Sequence, residues 1–207
     1  MAAITNVNKS FENPQQVFIT NVLGTARVAY LCAKYKKKLI YPSTGAVYHP
    51  EFSPYAKSKA IAEEIVRGII KSTPVVILRL YNVFGEGMNK DSGSIMYNFL
   101  HDKEIVVYGN GEQTRDFIHV RDVIAIMEDA LKKKWNGKIV NVGMGQVYTI
   151  NYVAGLFVYF RGLPIVYKPP HREIKWSIAD ISMLNTLYKK KLTKKFEEDI
   201  KELVYAN

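Results

Sequence analysis

Residues 39–80 read LIYPSTGAVYHPEFSPYAKSKAIAEEIVRGIIKSTPVVILRL, and the order of apolar runs within them decides the fold. LIYPS is a short apolar strand. Ser53 and Pro54 then open a helical pattern that runs to about Lys71. Ser53 stands where a side chain can cap the helix, and Pro54 sits in the first turn, where a missing N–H costs little. PVVILRLYNVF, from Pro74 onward, reads as a second strand, apolar almost throughout and therefore buried on both faces. Strand, helix, strand with such strands predicts a parallel sheet covered by helices on both sides.

Outward from this unit, the spacing of apolar residues from Pro14 to Tyr35 is helical. Beyond Gly85 the order is less regular. It gives a short helix near Ser94 to His101, a strand IVVYG, a loop NGEQTRD and a helix opening near Asp122. A strand KIVNVG, a helix from about Asn151, a strand PIVYK and two short C-terminal helices follow. The expected class is α/β: a partial Rossmann-like, doubly wound parallel sheet over residues 1–85, and a small α+β substrate lobe over 86–207. Residues from about 114 to 142 are expected to return to the main sheet.

Composition narrows the classes. A chain of 207 residues, 48% hydrophobic and 23% charged, can bury one sizeable core and a small lobe. No apolar run approaches the roughly 18 residues of a membrane span, so no membrane partner is expected. The start MAAITNVNKSFENP lacks the basic-then-apolar order of a secretory signal, and the cytoplasm is the expected address. The formal charge of +10 raises the question of nucleic acid. The lysine runs at 36–38, 132–134 and 189–191 fall at the ends of helical patterns, where cations complement the helix dipole, and no nucleic-acid partner is expected. The single cysteine, Cys32, reads as a small buried hydrophobe. His49, His101, His119 and His171 are scattered without ligand spacing, so no metal site is expected.

The chemistry-bearing pair is Tyr55 and Lys59 in YAKSK. A phenol titrates near pH 10 and is a poor base at neutrality unless a cation stabilises the phenolate. Lys59 lies four residues on, one helical turn away on the same face, and can supply that charge. Thr44, eleven residues before Tyr55, ends the first strand of the unit. There its hydroxyl can meet a substrate oxygen together with the phenol, and strand ends on one edge of a parallel sheet are where such sites form.

In order and spacing, NVLGT, STGAVY, SPYAKSKAIAEE, LRLYNVFGEG, YGNGEQTRDFIHVRD, VNVG and IADIS resemble the extended short-chain dehydrogenase/reductases of the NAD-dependent epimerase/dehydratase family, which act on nucleotide sugars. The similarity is greatest to the UDP-glucose 4-epimerase-like members. It implies Tyr55 as the acid/base that exchanges a proton with a sugar hydroxyl, Lys59 as the residue that tunes Tyr55 and holds the nicotinamide ribose, and Thr44 as a hydrogen-bond partner of the reacting oxygen. It implies NAD as cofactor, with NADP not excluded, lined by Ala2, Ala3, Lys59 and Tyr81. For the nucleotide sugar, most simply a UDP-sugar, it implies Asn82, Arg115 and Arg172 at the diphosphate and Val106 and Tyr108 at the base. Gly45 and Ala46 stand where the dehydratases of the family carry an acidic pair, which favours epimerisation over dehydration or decarboxylation. Asp116 and Asp122 read as structural.

The Gly-rich GxxGxxG turn with which family members open is not found in these 207 residues. The expectation is an N-terminally truncated member without the first two βαβ-forming segments, on the order of sixty to seventy residues. An exposed sheet edge would follow, to be covered in a homodimer or by a complementing chain. The alternative is a non-catalytic sugar-nucleotide-binding or assembly protein derived from the family.

Overall fold

A computed structural model describes residues 3–133, 135–170, 174–193 and 195–206. The chain opens with α1 (Val7–Glu12) and α2 (Pro14–Phe18), capped by the side chains of Asn6 and Asn13. One π-helical turn (Ile19–Leu23) carries α2 into α3 (Gly24–Lys34), so the helix expected from Pro14 is continuous but widened in the middle. Strand β1 (Leu39–Thr44) leads through two 3₁₀ turns, Gly45–Tyr48 and Pro50–Phe52, into α4 (Pro54–Gly68). The Ser53 hydroxyl accepts the Ala56 N–H at 3.1 Å, which is the cap the sequence signals.

Strand β2 (Val75–Leu80) is interrupted at Tyr81 and resumes as β3 (Asn82–Phe84). There follow α5 (Ile95–His101), β4 (Ile105–Tyr108), β5 (Thr114–Arg115), β6 (Phe117–His119) and α6 (Val120–Lys132). The chain closes with β7 (Lys138–Val142), β8 (Tyr148–Thr149), α7 (Ile150–Arg161), β9 (Ile165–Lys168), α8 (Ser182–Leu187) and α9 (Phe196–Tyr205).

The main sheet runs β1-β2-β7, all parallel, as the strand–helix–strand reading requires. Its two faces differ. Tyr41 and Ile77 pack with Ala62 and Val66 of α4 on one side, and Val76, Leu78, Val140 and Val142 pack against α6 and α8 on the other. A third core, built around Phe84, Phe99, Phe117 and Phe157, holds α5, α7 and α9 against β4. The parallel pairs β3-β6 and β4-β9 and the antiparallel pair β5-β8 connect these cores.

The structure departs from the expected elements in two places. Helix α6 begins at Val120 rather than near Asp122, because the His119 ring nitrogen accepts the Arg121 N–H at 3.1 Å and caps the helix earlier. The loop read over NGEQTRD contains β5, which pairs with a strand too short to show any periodicity of its own. One lysine of the run after α3 is not simply solvated: Lys38 donates to the carbonyls of Ala130, Leu131 and Lys133, acceptors at the end of α6 that the helix itself leaves unused. Among the described residues no helix is long and apolar enough to cross a membrane.

Candidate active site at the strand ends

The C-terminal ends of β1 and β2 bring the sequence-expected residues together. Thr44 is the last residue of β1 and its hydroxyl accepts the Ala46 N–H at 3.2 Å, which caps the first 3₁₀ turn and fixes the side chain. That turn and the next reverse the chain so that α4 starts beside Thr44, and Tyr55, in its first turn, presents its phenol to the Thr44 hydroxyl. Burial raises the Tyr55 pKa, and the Thr44 hydrogen bond pulls the other way. At neutral pH the phenol is therefore protonated and able to donate.

Lys59, one turn further along α4, is 5% exposed. Its ammonium donates to the Pro42 carbonyl at 2.6 Å and lies 4.4 Å over the centre of the Tyr41 ring. Desolvation brings its pKa down to about 8, partly offset by the charge of Glu63. With one ammonium proton given to Pro42, two remain for other acceptors at the end of β1. The Ser43 hydroxyl beside it is buried with no hydrogen-bond partner among the described residues.

Tyr81 sits in the break between β2 and β3 with its ring against Gly45: a Cβ built on Gly45 would lie 2.7 Å from the ring's Cζ. Burial, helped by Tyr48 and Asp116 nearby, pushes the Tyr81 hydroxyl up to about 12. Asn82 follows directly. Its backbone N–H and its side-chain amide both donate to the Asp116 carbonyl, at 3.1 and 2.9 Å, which locks the side chain next to Arg115. The Arg115 guanidinium donates to its own neighbour's carbonyl, Thr114, at 2.9 Å and to the Ile174 carbonyl at 2.7 Å. Arg172 and Ala2 lie outside the described residues; Ala3 is exposed at the chain's start.

In β4, Ile105 and Val107 enter the core while Val106 and Tyr108 alternate to the outer face, and the Gln113 amide donates to the Tyr108 carbonyl at 2.9 Å. Asp116 is structural. Fully buried, it accepts the N–H groups of Met144, Gly145 and Ala179 at 2.8, 3.0 and 3.0 Å and so joins three loops. Asp122, near the start of α6, accepts from both the N–H and the hydroxyl of Thr193 at 3.3 Å. Among the described residues no group of three or more His, Cys, Asp or Glu side chains could hold a metal ion.

The model of the NAD dependent epimerase/dehydratase family matches residues 1–143. The chain belongs to that family. A relative from Methanocaldococcus jannaschii, provisionally named a UDP-glucose 4-epimerase, is 32% identical over 90% of this chain and 68% of its own length. The UDP-N-acetyl-alpha-D-glucosaminuronate decarboxylase of Bacillus cytotoxicus is 30% identical over 74% of this chain, which spans only 56% of that protein. Among solved structures, a UDP-N-acetylglucosamine 4-epimerase from Methanobrevibacter ruminantium, in complex with UDP-N-acetylmuramic acid, superposes with a TM-score of 0.88 at 29% identity, covering 99% of this chain and 74% of that one. The UDP-glucose 4-epimerase of Thermotoga maritima, with UDP-glucose, gives 0.87 at 26%, covering 99% and 74%. Members of the NAD dependent epimerase/dehydratase family are enzymes, and the α/β class with parallel strands is the one its solved structures share.

Sequence reasoning missed Tyr41, Tyr48, Glu63 and Arg79, which surround Lys59 and the strand ends. Only Glu63 left a signal, four residues beyond Lys59 on the same helical face. Tyr41, Tyr48 and Arg79 meet it through packing between elements.

Proposed function

We propose that this chain carries the acid/base and sugar-nucleotide-binding residues of a UDP-sugar 4-epimerase. The observation that carries the reading is the contact between Gly45 and Tyr81. Elimination of water needs an acid that can reach the leaving hydroxyl of a sugar held by Thr44 and Tyr55. The residue next to Thr44 is the natural place for one, and there the Tyr81 ring leaves no room even for a Cβ. Ala46, one position on, cannot ionise. What remains is oxidation and reduction at a single carbon.

In this reading Thr44 orients the reacting sugar oxygen, and Tyr55 exchanges a proton with it: the phenol, which burial keeps protonated, must first give up its proton to take that of the hydroxyl, and it later returns it. Bound NAD supplies the hydride acceptor and donor. The residues present fit the nicotinamide end of that cofactor: Lys59 keeps two donors for ribose hydroxyls, and the buried Ser43 hydroxyl, at the end of the same strand as Pro42, is unpartnered among the described residues. NADP fits these groups equally. Asn82, Arg115 and Arg172 hold the diphosphate, Val106 and Tyr108 the uracil. Epimerase relatives support this reading, as do solved epimerases bound to UDP-sugars. A non-catalytic binding role has no such support.

The test is incubation of the chain with UDP-glucose and NAD, followed by proton NMR of the anomeric region. Appearance of UDP-galactose supports the reading. Formation of a 4-keto-6-deoxy sugar, or binding of UDP-glucose without any conversion, overturns it.

A further inference from the structure

Glu63 lies one turn beyond Lys59 on α4 and is 2% exposed. A carboxylate so placed is costly unless its oxygens are taken up. Arg79 of β2 takes both: Nε lies 3.0 and 3.2 Å from the two oxygens, and a terminal nitrogen lies 2.7 Å from one of them. Arg79 reaches α4 because it shares a sheet face with its strand neighbours Ser43 and Asn141. The Tyr48 ring covers the guanidinium at 4.6 Å, and the Tyr48 hydroxyl donates to Asn141 at 3.0 Å. Two strands and the first 3₁₀ turn thus combine to hold one carboxylate on the Lys59 face of α4.

Stability alone is a weak reason for this arrangement, since apolar residues of equal volume often stabilise such a position as well or better. Lys59 supplies a stronger one. It is buried, and its contacts are a neutral carbonyl and a ring. The titratable groups that face it are Tyr41 from β1, and Tyr55 and Glu63 from its own helix, with Arg79 from β2 behind Glu63. Of these, Glu63 brings the only negative charge, and burial drives an uncompensated ammonium toward its neutral form.

We propose that Glu63, clamped by Arg79, is a positioning residue for Lys59: it is the counter-charge that keeps the buried side chain an ammonium, directed at the end of β1 where substrate and cofactor meet. The role rests on the epimerase reading for its purpose, but its test needs neither substrate nor turnover.

The full chain is labelled with ¹³C at lysine Cε, the Lys59 resonance is assigned by Lys59→Arg, and its chemical shift is followed against pH. In the wild type the midpoint is expected at about 8, where desolvation brings the buried ammonium. In Glu63→Gln it is expected to fall by about one pH unit or more, the usual effect of removing a nearby opposite charge. Arg79→Gln keeps the carboxylate and is expected to leave the midpoint at or above the wild-type value. An unchanged midpoint in Glu63→Gln overturns the proposal; so does an equal fall in both variants, which would report loosened packing rather than lost charge. Should Glu63→Gln not fold, Glu63→Asp, which retracts the charge by one methylene, must still lower the midpoint. If epimerase activity is measured, the alkaline limb of kcat/KM should move to lower pH in Glu63→Gln in step with the NMR midpoint.

Discussion

The Tyr81 ring occupies the space that a side chain on Gly45 would need, with three ring carbons 2.7 to 2.9 Å from the position of a Cβ. The two residues come from the turn after β1 and the break after β2, so the contact welds two strand ends. Gly45→Ala is expected to destabilise the fold by about 1 to 3 kcal/mol through overpacking. Tyr81→Ser should recover most of that loss in the double variant. Denaturant unfolding of the four combinations measures the coupling; additive effects would show that the contact is not the cause.

Tyr55→Phe removes the proton carrier and preserves the ring. Turnover should drop by about 10²-fold to 10⁴-fold while affinity for the sugar nucleotide stays nearly constant. Steady-state kinetics and titration calorimetry on the same preparation separate the two. A large loss of affinity would count against a proton shuttle.

Arg115→Ala is expected to weaken sugar-nucleotide binding by about 2 kcal/mol or more, the cost of a lost charge-assisted contact. UDP alone should show most of the effect, because the contact is assigned to the diphosphate. Unchanged UDP affinity removes Arg115 from the site.

Lys59 links stability to pH with a definite sign. Its folded pKa of about 8 lies below the ordinary lysine value of 10.5, so between these limits the unfolded chain binds the proton that the folded chain has lost. Stability should therefore increase as pH rises through this window, by about 2 kcal/mol between pH 8 and 9.5 from this group. The gain is to be read below pH 10, where the raised pKa values of Tyr41 and Tyr55 begin to act in the opposite direction. Urea unfolding of wild type and Lys59→Met at pH 7.5, 8.5 and 9.5 isolates the contribution. Parallel slopes would exclude it.

Asp116→Ala takes the acceptor from three N–H groups, a buried one on Ala179 and part-buried ones on Met144 and Gly145. A loss of about 3 kcal/mol or more is expected, with substrate affinity falling as well, because the backbone at residue 116, whose carbonyl holds Asn82, loses the side-chain anchor that fixes it. Thermal unfolding and UDP titration check both parts.

Local order was legible along the chain wherever a residue's partner lies within a turn of it. Ser53 and Pro54 announce the start of α4, and the apolar runs of β1, β2 and β7 announce a parallel sheet, since these depend on spacing and near neighbours. For the same reason Tyr55 and Lys59 could be named as a pair, four residues apart on one helix. The direction of the Lys59 ammonium could not, because it depends on a carbonyl and a ring of β1, 17 and 18 residues earlier in the chain. Nor could the early start of α6, set by a histidine cap, or strands β5 and β8, which are two residues long and exist only by pairing with each other. The sequence by itself determined which chemical groups this protein carries and on which elements they ride. Only the tertiary structure decided which of them meet, because the clamp of Arg79 on Glu63 and the closeness of Tyr81 to Gly45 arise when separate strands and helices are packed together, and no local periodicity encodes those distances.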